Sequence, residues 1–204
     1  MNLSLLDFLA DLSSKNPTPG GGGASALIGA IGASLCSMVA NLTSGKQKYA
    51  QHQSDIENIL SIASQEIPLL IGLIEKDAET FEPLAKAYGI PKEDPDREGI
   101  LEGALVAACS VPMETLAKME KIVSLVEELA EKGSRLAVSD IGVAAAACRA
   151  AMEGAAMNVY INTKLMKNRE RAEKLNAEAN GMLESGANRC AAVYQKIAAE
   201  LGGQ

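Results

Sequence analysis

The sequence predicts an all-α protein: an up-and-down bundle of about five to six long helices, forming one domain over residues 1–204. Three observations lead there. Ala, the best helix former, supplies about one residue in six, while aromatic residues are only 3% and Trp is absent. Sheets draw on β-branched and aromatic residues, and no stretch shows convincing period-two alternation. Apolar residues instead recur three and four positions apart, in long segments punctuated by Pro and Gly. Apolar residues at 48% and charged residues at 22% fit a globular chain long enough for one full core.

Taken in order, Leu3–Ser13 reads as a short amphipathic helix, with Leu5, Phe8, Leu9 and Leu12 at helical spacing. It carries Asp7 and Asp11 and no basic cluster, so it does not read as a signal peptide. Pro17-Thr18-Pro19-Gly20-Gly21-Gly22-Gly23 breaks it. A second helix, about Ala24–Thr43, is apolar almost all round and therefore central. Gly45 ends it, and Lys46–Tyr49 follows as a polar turn. The third helical region, about Gln53–Tyr88, contains Pro68 and Pro83, where kinks or breaks are expected. After the loop at 90–95, a fourth region runs from Asp96 to Glu131, interrupted at Pro112 and stopped by Gly133. The fifth helix starts at the N-cap pair Ser139-Asp140 and runs to about Lys167. The last covers about Arg169–Leu201, with Gly181 and Gly186 as weak points.

Composition also excludes function classes. Lys and Arg number 19 and Asp and Glu 26, so the net charge is 19 − 26 = −7. An acidic, aromatic-poor chain is a poor nucleic-acid binder. Cys36, Cys109, Cys148 and Cys190 are widely spaced, and His52 is the single His. That pattern predicts free thiols in a reducing cytoplasm and no metal centre. No residue from Asn16 through Gly45 is charged, a length that could span a bilayer. Its glycines, serines and Asn41 favour a buried core helix, and no second uncharged stretch of this kind is found.

Four places could carry chemistry. Pro17–Gly23 stands before a helix, where free N–H groups and the dipole suit an anion. It lacks the Lys-Ser/Thr of a P-loop and follows no strand, and a tight turn between close helices would look the same. Asn41 through Tyr49 gathers amide, hydroxyl, ammonium and phenol groups at a helix end, which a polar C-cap also explains. On the fifth helix, Asp140 and Asn158 lie 18 residues, or five turns, apart on one face, with Asn162 one turn beyond. Their ends are about 27 Å apart, so both cannot touch one small reacting centre within a single chain. They serve different ends of a long ligand, or one is structural, or a second subunit unites them. Asp77, between Ile74 and Phe81, is a proton carrier if it faces inward and a solvated residue if it does not. His52 reads as a surface residue.

Pro17-Thr18-Pro19-Gly20-Gly21-Gly22, Met38-Val39-Ala40-Asn41-Leu42-Thr43 and Lys46–Tyr49 together resemble the cyclodeaminase/cyclohydrolase family. Asp77 with Phe81, Ala108–Met113, Ser139-Asp140 and Asn158–Asn162 follow in the family's order, so the resemblance spans nearly the whole chain. Gly23 stands where a small residue is usual, and Pro68 and Pro83 fall in a usually uninterrupted helix.

The resemblance implies an all-α homodimer with sites near the subunit interface and a tetrahydrofolate substrate, which can be polyglutamylated. It needs no metal or other cofactor. The implied reaction is hydrolysis of 5,10-methenyltetrahydrofolate to 10-formyltetrahydrofolate. The alternative is release of ammonia from 5-formiminotetrahydrofolate, with a separate formiminotransferase as partner. A non-catalytic folate binder or a helical oligomerisation module stays open. Cyclohydrolase is preferred because no transferase domain is fused to the chain. Asp140 or Asp77 is expected to supply the catalytic carboxylate, with Lys48 beside it. Lys48, Asn41 and Tyr49 would polarise or position the substrate, and Asn158 and Asn162 would bond the pterin or close the pocket. The amides of Gly20, Gly21, Gly22 and Gly23, with the nearby lysines Lys46 and Lys48, would receive the glutamate carboxylates, and Pro19 belongs to the same substrate-binding set. No membrane or nucleic-acid partner is expected.

Overall fold

The computed structural model describes residues 4–203, and among them every regular element is helical. Leu3, assigned above to the first helix, lies outside the described residues. The seven α-helices are α1 (Leu5–Leu12), α2 (Gly21–Thr43), α3 (Gln53–Tyr88), α4 (Arg97–Ala108), α5 (Ser110–Lys132), α6 (Val138–Leu165) and α7 (Arg169–Gly202). A 3-10 turn at Gln47–His52 joins α2 to α3, and another at Arg135–Ala137 joins α5 to α6.

Three boundaries differ from the expectation for a physical reason. The glycine run does not precede α2 but opens it: Gly20 is the N-cap and Gly21–Gly23 form the first turn. Pro68 and Pro83 do not break α3. Each removes one hydrogen bond, but both lie on the exposed side of the helix, where water takes the freed carbonyl. The break in the fourth region falls at Cys109, ahead of Pro112. Pro112 thereby sits in the first turn of α5, where no intrahelical donor is needed.

α2 is the centre. It packs on α3, α5 and α6, burying Ala26, Ala30, Ala33, Cys36, Val39 and Ala40. α6 packs on the other side against α5 and α7. α2 and α6 are antiparallel with a fixed register. A Cβ added at Gly29 would meet Ala151 at 3.6 Å, and one at Gly32 would lie 2.9 Å from Cys148 Sγ. Only small residues allow so close an approach, which is where the Ala and Gly content is spent.

By length and composition three helical stretches could cross a membrane: Gly21–Thr43, Gln47–Tyr88 and Arg97–Lys132. Only the first of these is free of charged residues along its whole length. The packing of α2 among three helices supports the core-helix reading for that one.

Two ends of the α2–α6 pair are tied down differently. At the far end, Thr43 Oγ1 accepts from the Ser134 N–H at 2.8 Å, and Gln53 Oε1 accepts from the Gly45 N–H at 2.9 Å. Gly45 has φ +73°, so the turn uses the left-handed region open to glycine. On the outside, Glu66, only 5% exposed, accepts from Lys121 at 2.6 Å and Lys118 at 3.2 Å, clamping α3 to α5.

Candidate active site at the start of α2

The chain enters α2 through Pro17, Thr18 and a cis Thr18–Pro19 peptide bond. The first helical turn leaves backbone N–H groups without intrahelical acceptors. One of them, Gly23 N–H, donates to Asp77 Oδ2 at 2.8 Å. Asp77 reaches it from the middle of α3 because α2 has no side chains in the way. A Cβ at Gly22 would lie 2.2 Å from Asp77 Oδ1. Burial pushes the Asp77 carboxyl above its ordinary range, and the Gly23 hydrogen bond offsets part of that rise.

α6 supplies the opposite wall. A Cβ at Gly21 would meet Asn158 Nδ2 at 3.3 Å. Asn158 Nδ2 donates to Gly154 O at 2.8 Å, and Asn162 Nδ2 to Asn158 O at 2.9 Å. Each amide thus spends one N–H on its own helix, leaving its second N–H and its oxygen for a ligand. The floor of the pair is fixed by Ser25, whose Oγ donates to Gly21 O at 2.7 Å and fills the space over Gly154. A cavity of about 80 Å³ results, lined by Gly20–Gly22, Asp77, Asn158 and Asn162, with Thr80, Phe81 and Ile161 at its rim. It adjoins a more open cavity of about 320 Å³ sharing Pro17, Thr18 and Phe81. A larger groove of about 380 Å³ between α1 and α3 is walled mainly by Leu5, Phe8, Leu27, Ile71 and Ile74. It offers little for acid–base work, so the small polar cavity is the site.

The remaining expected residues gather at the other end of α2. Asn41 Nδ2 bonds back to Ser37 O at 2.9 Å. Tyr49 Oη accepts from the Arg135 N–H at 3.0 Å, which lowers the phenol below its usual range. Lys48 Nζ stands 5.5 Å from the Tyr49 ring centre. Lys46 is exposed, and Asp140 is half-buried in the first turn of α6. Thus Asp77, Gly20–Gly22, Asn158 and Asn162 meet in one cavity, and Asn41, Lys46, Lys48, Tyr49 and Asp140 do not join them. The length of α2, 23 residues at about 1.5 Å each, separates the two groups.

One expectation changes. The resemblance gives the glycine amides to the glutamate carboxylates of a folate tail, but Gly23 already serves the chain's own Asp77. A second anion there would meet that charge. Pro19 does not line the cavity, while Pro17, Thr18, Thr80 and Phe81 do. Thr80, Phe81 and Ile161 were within reach of the sequence, being three or four positions from Asp77 or Asn158 on their helices.

Residues 4–181 match the family model described as formiminotransferase-cyclodeaminase. A methenyltetrahydrofolate cyclohydrolase of Methylorubrum extorquens is 40% identical over 191 residues, covering 91% of this chain and 92% of that protein. The formimidoyltransferase-cyclodeaminase of Mus musculus is 28% identical over 203 residues, and the chain spans only 38% of its length. A crystal structure of a formiminotetrahydrofolate cyclodeaminase from Thermotoga maritima superimposes with a TM-score of 0.84 at 33% identity, over 99% of this chain and 97% of that one. With the glycine-opened α2, Asp77 and the Asn158–Asn162 wall in place on the same all-helical frame, the chain belongs to the formiminotransferase-cyclodeaminase family.

Proposed function

We propose that this protein hydrolyses 5,10-methenyltetrahydrofolate to 10-formyltetrahydrofolate. The observation that carries the reading is Asp77, a carboxylate held by the Gly23 N–H in a cavity whose burial raises its proton affinity. The substrate is a cationic amidinium whose bridge carbon takes up water. Asp77 offers it a counter-charge and accepts a proton as the water oxygen bonds that carbon. Returning that proton to N5 lets the carbon–N5 bond break, leaving the formyl group on N10. The hydroxyl proton leaves to solvent, so the balance is substrate plus water to product plus one proton. Asn158 and Asn162 accept from the pterin, and Phe81 covers it.

The cavity of about 80 Å³ takes the reacting edge of such a substrate only. We place the rest against a second copy. Ile31, Met38 and Leu42 on α2, with Val143, Met157 and Ile161 on α6, form an exposed apolar stripe along the pair. A two-fold axis across its midpoint sets the Asp77 end of one protomer against the Lys48–Tyr49–Asp140 end of its partner. Lys46, Lys48 and Arg135 would then receive an anionic tail. The four cysteines, all free and buried, support a reducing, cytoplasmic setting.

The test is loss of the methenyl absorbance band. Asp77→Asn should lower turnover by about 10²–10⁴-fold with little change in KM. Near-wild-type turnover in that variant would remove Asp77 from the chemistry. The shared site has its own readout. Mixing Asp77→Ala and Lys48→Ala chains should restore about a quarter of wild-type turnover, one intact site in each mixed dimer. No recovery would overturn the site shared between two copies.

The second reading is cyclodeaminase. It is favoured by the Thermotoga structure, whose chain is nearly co-extensive with this one and is described as that enzyme. The extent of the chain therefore does not discriminate between the two. Both reactions pass through a tetrahedral centre at the same carbon. Ammonia release from 5-formiminotetrahydrofolate decides: release at a rate matching methenyl hydrolysis would overturn the cyclohydrolase preference.

A further inference from the structure

Away from that site, three buried thiols lie at one level of the bundle. Cys36 is on α2, Cys148 on α6 and Cys190 on α7. They are not placed to hold a metal: among the described residues no such group of three or more ligands occurs. The α6–α7 pair is antiparallel with a constant register. Gly142 faces Ile197, Met152 faces Gly186, and Thr163 bonds Asn176. Counting from Met152–Gly186 brings Cys148 opposite Cys190, the other two pairs bring it opposite Ala191 one position on, and the Cys148 and Cys190 thiols interact directly. One turn away the Met152 side chain lies over Gly186, where an added Cβ would fall 2.4 Å from its Sδ. A disulfide needs Cα atoms about 4.4–6.8 Å apart, and across a helix pair only facing positions come that near.

We propose that Cys148 and Cys190 form a redox-active dithiol that hydrogen peroxide, or a small peroxide of that class, converts to a disulfide joining α6 to α7. Cys190 is the attacking sulfur. Only 1% of it is exposed, and that edge lines a surface cavity of about 220 Å³ together with Arg149, Glu153, Tyr194 and Gln195. The Cys148 thiol donates to it, and Arg189 and Arg149 stand nearby, so its own proton is held less tightly than in an ordinary thiol. Burial pushes Cys36 up to about 12 and Cys109 to about 11, so neither competes as a thiolate. The Cys190 thiolate attacks one peroxide oxygen and the O–O bond breaks, giving a sulfenic acid and hydroxide. The Cys148 sulfur then attacks Cys190 Sγ, its proton leaving with the displaced hydroxide as water. In sum, two thiols and one peroxide give one disulfide and two waters.

Treating the native protein with hydrogen peroxide, alkylating, then denaturing and digesting with trypsin tests this. Peptides 136–149 and 190–196 should appear linked, free thiols should fall from four to two, and dithiothreitol should reverse both. The link should persist in Cys36→Ala and vanish in Cys148→Ala. Four remaining thiols, a link through Cys36 or between chains, or Cys190 carried to sulfinic acid with Cys148 free would each overturn it. The wild-type peptide map alone decides, whether or not the variants fold.

Discussion

Gly22→Ala is the sharpest perturbation of the site. The new methyl carbon would lie 2.2 Å from Asp77 Oδ1 and 2.6 Å from both Cγ and Oδ2. No van der Waals contact is that short, so either Asp77 swings away or α2 and α3 separate. Swinging away breaks the 2.8 Å bond from the Gly23 N–H, a hydrogen bond to a charged group worth about 1.5–3 kcal/mol. Separation costs a comparable amount, about 1–3 kcal/mol for an overpacked methyl. Either route removes the proton carrier, so turnover should fall about 10²–10⁴-fold. Urea unfolding and the methenyl absorbance assay read the two losses. The control is Gly22→Ala in an Asp77→Ala background, where the methyl meets no carboxylate and the added destabilisation should fall below about 0.5 kcal/mol. Gly21→Ala, whose Cβ would stand 3.3 Å from a flexible amide, should cost much less. Full activity in Gly22→Ala, or equal destabilisation with and without Asp77, would refute the contact as described.

Gly154→Ala would place a Cβ 2.4 Å from Ser25 Oγ and push α2 off α6 at the cavity floor, costing about 1–3 kcal/mol by thermal or urea melting. Ser25→Ala should rescue it, because only the hydroxyl clashes. Burial alone would raise the Glu66 carboxyl, but the Lys121 and Lys118 ammoniums outweigh it and hold it below its ordinary value. Its stabilisation is therefore complete above the unfolded Glu pKa and is lost as pH falls through the lower folded one. Glu66→Gln should flatten that acid limb, and Glu66→Ala should cost about 3 kcal/mol by urea unfolding, since the largely exposed Lys121 can turn to water while Lys118 cannot. Asp77 has the opposite sign: its folded pKa is raised, so its ionisation weakens the fold as pH rises through that value. Asp77→Asn should remove that slope and be more stable than wild type at neutral pH while being slower, and a parallel slope in the variant would count against the assignment.

Much of the bundle was legible because helical punctuation is local. Gly45, Gly133 and Ser139-Asp140 mark ends within one or two residues of where helices stop and start. The entry to α2 was less so. Four glycines read as a turn by propensity, but with Gly21 packed against Asn158 and Gly22 against Asp77 the last three form a first helical turn, and tertiary contact is invisible to propensity. The site was half legible. The 18-residue spacing of Asp140 and Asn158 correctly kept them apart. Nothing in the sequence says that Asp77, 54 positions from Gly23, closes on its amide; that follows only from how α3 lies beside α2.

The small-residue seam between α2 and α6 has a consequence for motion. Gly, Ala and Ser at Gly21, Ser25, Gly29, Ala151 and Gly154 lose almost no side-chain entropy on folding and possess no alternative long rotamers once packed. A seam without rotamers cannot breathe by side-chain rearrangement. The spacing between the α2 amides and the α6 carboxamides is then fixed before any ligand arrives, and accommodation falls to the segments outside it: α1, the approach through Pro17–Pro19, and the outer face of α3.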